Sequence, residues 1–494
     1  MTNPQLAAGA AAYERGDIAE ALRIFEQATR SGEPRIRLAA MVNAASMADN
    51  LGDHHAAVRW FEQALAEMPE DAGAMRPTAL VNMSQALQNL GDPEGAARAL
   101  SRARALLADD PEQGTLRVAC LLSSTAVAIH RQEWAQAIEL ARESLTSAAE
   151  SAPHLAGHPL LNLAAVHFET GRRELALDFA HQALDAFTAA ADHNGVAETQ
   201  QNLALMHLRS EQPESAEPLL ASSQDYFERA GLIPRAGIGS KALAFLAETR
   251  GDTTTAYSRY TESLRLFTAA GAELEAADVR IRLATMDFAL GRREQSEHLL
   301  AAAFQTYAAR NLGLHCARID FWHAALLESG LDYTRPDPAA IRPALDLAVT
   351  SALALDAVRH TFASGSQRHE WDRHLAEPAL RLAFRLAYLA ADAPLLRDLI
   401  ETRCAGAIPA HREPDPVATA RLPLTLPEPP SPPPSGTLRL GTALAEVATA
   451  AGLAISPPPR LRVGPGDRIA LADHIAAAEQ RYGLPIRDSL VLTP

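Results

Sequence analysis

The stretch Leu80–Ala103, LVNMSQALQNLGDPEGAARALSRA, decides how this chain is read. It divides into two helical segments around Gly91-Asp92. A glycine there can take a positive φ at a helix C-terminus, and the aspartate after it can cap the helix that follows. Ala96 and Ala103 let the two helices approach closely. Leu100, one turn on from Ala96, fills the gap toward the next pair. One such pair cannot bury its own apolar stripe, whereas a stack of pairs can.

The same grammar recurs along the chain. Gly16-Asp17 precedes Ala21, Phe25 and Ala28, and Gly52-Asp53 precedes Ala57, Phe61 and Ala64. Gly171-Arg172 precedes Ala176, Ala180 and Ala183, Gly251-Asp252 precedes Ala256 and Tyr260, and Gly291-Arg292 precedes Ser296, Leu300 and Ala303. Degenerate turns at Gln132-Glu133 and Glu211-Gln212 complete the series, and successive turns lie 36, 39, 41, 39, 40, 40 and 40 residues apart. A ninth pair is expected from Cys316 to Ala354, its turn stretched by the prolines of Asp332–Pro338. Ile341–Phe362 reads as a long helix broken at Gly365-Ser366. Ser366–Ala391 and Pro394–Ala405 read as two more. Residues 409–435 hold ten prolines and read as a linker. In the tail, 436–494, Thr442–Ala451 and Asp473–Tyr482 read as helices. Arg460–Val463 and Arg468–Leu471 read as strands around Gly464-Pro465-Gly466-Asp467, and Leu490–Leu492 as extended chain. So small a tail is expected to dock on the helices or on a partner.

The expected fold class is therefore all-α: a right-handed superhelical solenoid of about nine helical hairpins, with a helical cap, a Pro-rich linker and a small α+β tail. The expected divisions are 1–305 for the array, 306–408 for its last unit and cap, 409–435 for the linker and 436–494 for the tail. Composition agrees. Of 494 residues 48% are hydrophobic, mostly Ala and Leu, and only 5% aromatic, which suits packed helices. A net charge of −15 argues against general nucleic-acid binding, which needs a cationic face. Cys120, Cys316 and Cys404 form no disulfide or zinc framework, so a reducing cytoplasm is the expected compartment. The N-terminal residues show no signal-peptide pattern, and no apolar run is long enough to span a bilayer.

The spacing of turn glycine and alanines resembles the tetratricopeptide repeat (TPR), most closely at residues 41–69 and 78–103, over about residues 5–305. The usual period is about 34 residues; the longer one here resembles a roughly 40-residue variant found in regulatory and scaffold proteins. More distantly, the segment from Ile341 onward resembles actinobacterial TPR proteins associated with caspase-like CHAT proteases, which implies a sensor or adaptor beside an effector.

In the TPR family the first helix of each unit lines a concave groove. The resemblance implies ligand contacts there, at fixed positions before the turn. One of these positions carries Asn43, Asn82, Asn162 and Asn202, with Ser123 interrupting and Arg282 following. Asparagine offers both a donor and an acceptor, so such a ladder can pair with an extended peptide backbone, or can bond neighbouring units to each other. Around it, Ser46, Asn50, Gln85, Gln88 and Asn89 offer a polar floor. Leu161, Phe168, Leu205 and Leu208 offer an apolar stretch. Lys241, Phe245, Arg282, Arg318 and Phe321 offer a basic and aromatic end.

Catalytic signals are weak. A caspase-like enzyme needs a Cys nucleophile inside a sizeable domain, and no cysteine follows Cys404. Gly464-Pro465-Gly466-Asp467 lacks phosphate-loop spacing. His167 and His207 occupy matching repeat positions, but no third ligand recurs beside them. The expectation is a non-enzymatic protein- or peptide-binding scaffold or sensor with no cofactor and no metal, regulating a separate effector. It binds neither nucleic acid nor membrane, and its oligomeric state is left open. The alternatives are a helper or protease-less relative of a CHAT system, and an enzyme with an unrecognised site.

Overall fold

In the computed structural model, the described residues are 3–404 and 457–492, apart from 16, 52, 70–71, 91, 109–112, 132, 336, 361–367, 369–370 and 464–467. The expected turn residues Gly16, Gly52, Gly91 and Gln132 therefore lie outside the described residues. So do the break at Gly365-Ser366, the linker, the helix Thr442–Ala451 and the turn at Gly464.

Helices α1 to α9 are Pro4–Glu14, Ile18–Ala28, Pro34–Asn50, His54–Glu67, Met75–Asn89, Pro93–Leu107, Gly114–His130, Trp134–Ser151 and Gly157–Glu169. Helices α10 to α18 are Arg173–Ala189, His193–Arg209, Pro213–Arg229, Ile233–Thr249, Thr253–Ala269, Glu273–Ala289, Arg293–Ala308, Gly313–Ser329 and Pro338–Arg359. A π-helical turn Asp372–Ala376 leads into α19 (Glu377–Leu389), and α20 is Ala393–Cys404. The tail holds β1 (Pro459–Val463), β2 (Arg468–Ile469), α21 (Ala472–Tyr482) and β3 (Asp488–Leu492). The chain forms two compact units, residues 1–259 and 260–494.

In the first unit, successive helices pair as antiparallel hairpins, each stacked on the next. The aspartates at these turns cap the following helices as the sequence predicts. The Asp17, Asp53 and Asp92 carboxylates accept from the backbone N–H of Glu20, Ala56 and Gly95 at 3.1, 2.9 and 2.8 Å. The repeat alanines Ala21, Ala57, Ala96, Ala137, Ala176 and Ala216 are completely buried. A finer rhythm than the 40-residue repeat is also present. Left-handed residues fall at Gly171, Ala191, Glu211, Gly231, Gly251, Gly271, Gly291 and Asn311, one every 20 residues. Each follows a helix of 16 or 17 residues, or the 13-residue α9, and closes it in one way. At Ala191, for example, its N–H bonds the Thr188 carbonyl (3.1 Å) and the Asp192 N–H bonds that of Phe187 (2.9 Å). That is a Schellman cap. Ala191, Glu211 and Asn311 adopt it without being glycine, which costs on the order of 1 kcal/mol each.

In the second unit, α15/α16 and α17/α18 form hairpins, α19 packs on α18, and the tail docks on these helices. Strand β1 lies between β2 and β3, antiparallel to the first and parallel to the second. Leu471, Ile475, Ala478, Tyr482 and Ile486 of the tail join one apolar core with Ile319, Leu345 and Leu353. Three tail arginines reach three acids on the helices. Arg481 donates to Asp320 at 2.5 and 2.8 Å, where Tyr482 Oη also donates at 2.7 Å. Arg468 donates to Asp398 at 2.6 and 2.8 Å, and Arg487 lies 3.5 Å from Asp356. At Gly313 the tail comes so close that an added Cβ would sit 1.8 Å from the Tyr482 carbonyl oxygen, so only glycine fits there.

His360 lies buried beside this network. Burial, reinforced by Arg359, Arg487 and Arg368, pushes its pKa down to about 4 against the opposing pull of Asp356. In the unfolded chain it titrates near 6.5. Between these values the unfolded state binds the extra proton, so stability falls as pH falls from about 6.5 to 4. His167, His315, His323 and His474 are shifted the same way by burial. Denaturant titrations across this window are expected to show a His360→Gln variant losing about 2 kcal/mol less than the parent. An unchanged slope would refute the assignment.

Candidate functional site

A cleft of about 650 Å³ opens in the first unit along the first helices of successive pairs. Their repeat spacing brings matching positions side by side. Helix α9 contributes Leu161, Asn162, Ala165, Phe168 and Glu169; α11 contributes Glu198, Asn202, Leu205, Met206 and Arg209. Gln85 of α5, Leu122, Ser123 and Ala126 of α7, His158 of α9 and Arg235 of α13 complete it. Of the residues singled out from sequence, the cleft thus gathers Gln85, Ser123, Leu161, Asn162, Phe168, Asn202 and Leu205.

The remaining predicted residues fall elsewhere. On α3, Asn43 and Ser46 are half-buried and Asn50 is exposed. Lys241 is half-buried and Phe245 exposed on α13, neither lining the cleft. Arg282 and Arg318 line a separate cavity in the second unit.

The asparagine ladder divides into two kinds. Asn82 Nδ2 donates to Ser46 Oγ of the preceding pair at 3.3 Å, and Asn89 Nδ2 to Asp49 at 3.4 Å. Gln88 turns back to its own helix, donating to the Ser84 carbonyl at 3.2 Å, and Gln85 donates to Asn89 at 3.4 Å. The expected polar floor is therefore largely engaged, partly in joining units and partly within α5. Asn162 and Asn202 are different: half-buried in the cleft, their side chains bond no other described residue. A half-buried amide that water alone satisfies is ready to exchange that water for a ligand's peptide group.

Charge lies along the rim. Arg209 grips Glu169 of the neighbouring pair at 2.5 and 3.2 Å, and its guanidinium covers the Phe168 ring at 4.6 Å. The bond to Glu169 raises the Arg209 pKa, holding it charged. Arg235 pairs with Glu198 at 3.0 Å. Sequence reading missed both pairs. The signal was there: the partners lie 40 and 37 residues apart, about one repeat period.

Behind the cleft, His167 is 1% exposed, stacks on Phe179 at 5.4 Å, and has no hydrogen-bond partner for either ring nitrogen. Burial, with Arg172 and Arg142, lowers its pKa and keeps it neutral. His207 instead bonds Gln212 at 2.9 Å, so the two matching histidines do not converge on a common ligand. Among the described residues no group of three or more metal-ligating side chains gathers. No described helix is long and apolar enough to cross a membrane. Cys120 and Cys316 are buried, and burial raises each thiol to about 11.

Comparison with known proteins adds to this geometry. Among solved structures, the chain resembles BtubC from P. vanneervenii at 22% identity, covering 45% of this chain and 92% of that one, with a TM-score of 0.38. It resembles the apo quorum sensor NprR from B. thuringiensis at 14% identity, covering 70% and 97%, with a TM-score of 0.42. A Rap protein complexed with competence and sporulation factor matches at 13% identity, 74% and 98% coverage, and a TM-score of 0.45. These scores are too low to bear on function. No curated protein matches the chain. Family models of the tetratricopeptide repeat match residues 38–70 and 155–229, the second stretch carrying both α9 and α11 of the cleft. Matched stretches, turns and buried alanines agree: the chain carries tetratricopeptide repeats.

Proposed function

We propose that this protein is a non-enzymatic scaffold that holds an extended peptide in the cleft of the first unit. The supporting observation is the pair Asn162 and Asn202, one repeat apart, with unengaged amides among apolar side chains. Each amide can donate to and accept from a peptide backbone, fixing its direction and register. Leu161, Leu205 and Phe168 then take alternate apolar side chains, and the ion pairs Arg209–Glu169 and Arg235–Glu198 bound the site. In this reading the filled cleft is the input of a sensor, and the output is a separate effector. We assign the array to residues 1–305, its last unit and cap to 306–408, the linker to 409–435 and the tail to 436–494.

The test is a random peptide library panned against the full chain, followed by anisotropy titration of the selected peptides. Two lost hydrogen bonds at about 0.5–1.5 kcal/mol each should weaken Asn162→Ala/Asn202→Ala binding roughly tenfold or more. The melting temperature should stay unchanged, since neither side chain holds a described neighbour. Asn82→Ala should do the reverse, lowering stability slightly and sparing affinity. Unaltered affinity in the double variant, or no selectable peptide, rejects the reading.

A further inference from the structure

The second unit contains a cavity of about 420 Å³ between the equivalent faces of α15 and α17, with His374 and Leu375 of the π-helical turn at its margin. Asp278, Arg282 and Thr285 line it from α15; His315, Arg318 and Trp322 line it from α17. Arg282 and Arg318 are both exposed, and neither makes an ion pair with a described residue. Two unneutralised guanidinium forks on one cavity attract an anion, and their planar geometry suits a carboxylate. Asp278 is the one acid on the wall, so the charged lining keeps a net positive sign.

Aromatic rings form part of the remaining lining, and two of them are held in place. Trp322 Nε1 donates to Thr285 Oγ1 at 2.8 Å, which fixes the indole across the two helices. Tyr307 stacks on His315 at 4.8 Å. Nδ1 of His315 is buried without a hydrogen-bond partner. Burial and then Arg318 lower the His315 pKa, so that ring stays neutral.

We infer that this cavity binds a carboxylate carried on an aromatic group, the carboxylate between Arg282 and Arg318 and the ring against Trp322. That chemistry can come from the C-terminus of a peptide ending in an aromatic residue or from a free aromatic acid. The inference does not rest on the cleft of the first unit.

The probes are N-acetyl-Ala-Ala-Phe with a free carboxylate, the same tripeptide as its C-terminal amide, 3-phenylpropionate, and inorganic phosphate. Each is titrated into the full chain by calorimetry and by tryptophan fluorescence. The free tripeptide is expected to bind saturably at about 1 mM or tighter, and at least tenfold better than its amide. Matching affinity for 3-phenylpropionate assigns a free acid as the source, and much weaker affinity assigns a peptide terminus; both support the site. Arg282→Ala and Arg318→Ala should each weaken binding roughly tenfold, with partial rescue by lysine. Trp322→Phe should abolish the fluorescence response while calorimetric binding persists. Equal affinity for acid and amide, binding of phosphate alone, or no binding overturns the proposal. So does loss of binding in Asn162→Ala/Asn202→Ala with retention in the arginine variants. Should an arginine variant fail to fold, the acid-against-amide comparison on the parent chain decides.

Discussion

Replacing Asp356 by alanine is expected to destabilise the second unit by about 3–5 kcal/mol. Asp356 is 4% exposed on α18, with Arg359, Arg403 and Arg487 at 2.9, 3.0 and 3.5 Å. Burial alone would raise its pKa; Arg359, Arg487 and Arg403 outweigh burial and hold it below the usual carboxylate range. Arg487 is itself buried, and burial pushes its pKa down, so it depends on that acid. Alanine would leave a buried guanidinium with no counter-charge, the costly way to break an ion pair. The loss is fully present above the unfolded carboxyl pKa, near 4, and closes as pH falls through the lower folded value. Urea denaturation at pH 7 and pH 3 checks both statements. The exposed pair Arg23–Glu20 is the control, and its removal should change nothing measurable. Because Arg487 belongs to the tail, cleavage of the tail by trypsin should quicken in the variant. An Asp356→Ala protein as stable as the parent would show that the network carries no net stability.

Phe187→Ala is expected to cost a similar ~3–5 kcal/mol in the first unit, by leaving a cavity. The ring is completely buried at the end of α10 and meets His158 edge-on at 4.8 Å. It lies against two glycines: a Cβ on Gly157 would sit 2.7 Å from it, and one on Gly195 only 2.2 Å. Gly195 lies in the first turn of α11, where alanine is by itself a better helix former than glycine by up to about 1 kcal/mol. Gly195→Ala should therefore destabilise the parent, where it strikes the ring, and stabilise the Phe187→Ala background, where the space is open. That reversal of sign is read by melting the four proteins of the cycle. Additive effects would mean that the ring and the glycine do not share one space. Since His158 lines the cleft, Phe187→Ala should also weaken peptide binding.

Much of the architecture was legible because turn chemistry and small residues repeat. Gly171, Gly251 and Gly291 take the positive φ that their position demands, and the capping aspartates do what their spacing implies. The 20-residue cadence was hidden at Ala191, Glu211 and Asn311, where side chains with no left-handed signature adopt that conformation because the helices on both sides dictate it. The site was only half legible. Periodicity placed Asn82 and Asn202 at the same register. It could not tell that a serine hydroxyl, Ser46, stands within reach of one and nothing comparable within reach of the other. The docking of the tail was less legible still. Asp320, Asp356 and Asp398 read as ordinary charged residues of helices, and the tail arginines that reach them come from 70 to 161 residues away.

The uniform 20-residue step has a consequence for how such a chain can grow or shrink. Duplicating a single helix and its turn would keep every cap intact, yet it would turn each later inner helix into an outer one and carry residues such as Asn202 to the opposite side. Length can therefore change without loss of recognition only in multiples of two steps. A library of helix-wise insertions should accept even numbers of steps and reject odd ones, a parity rule set by backbone geometry alone.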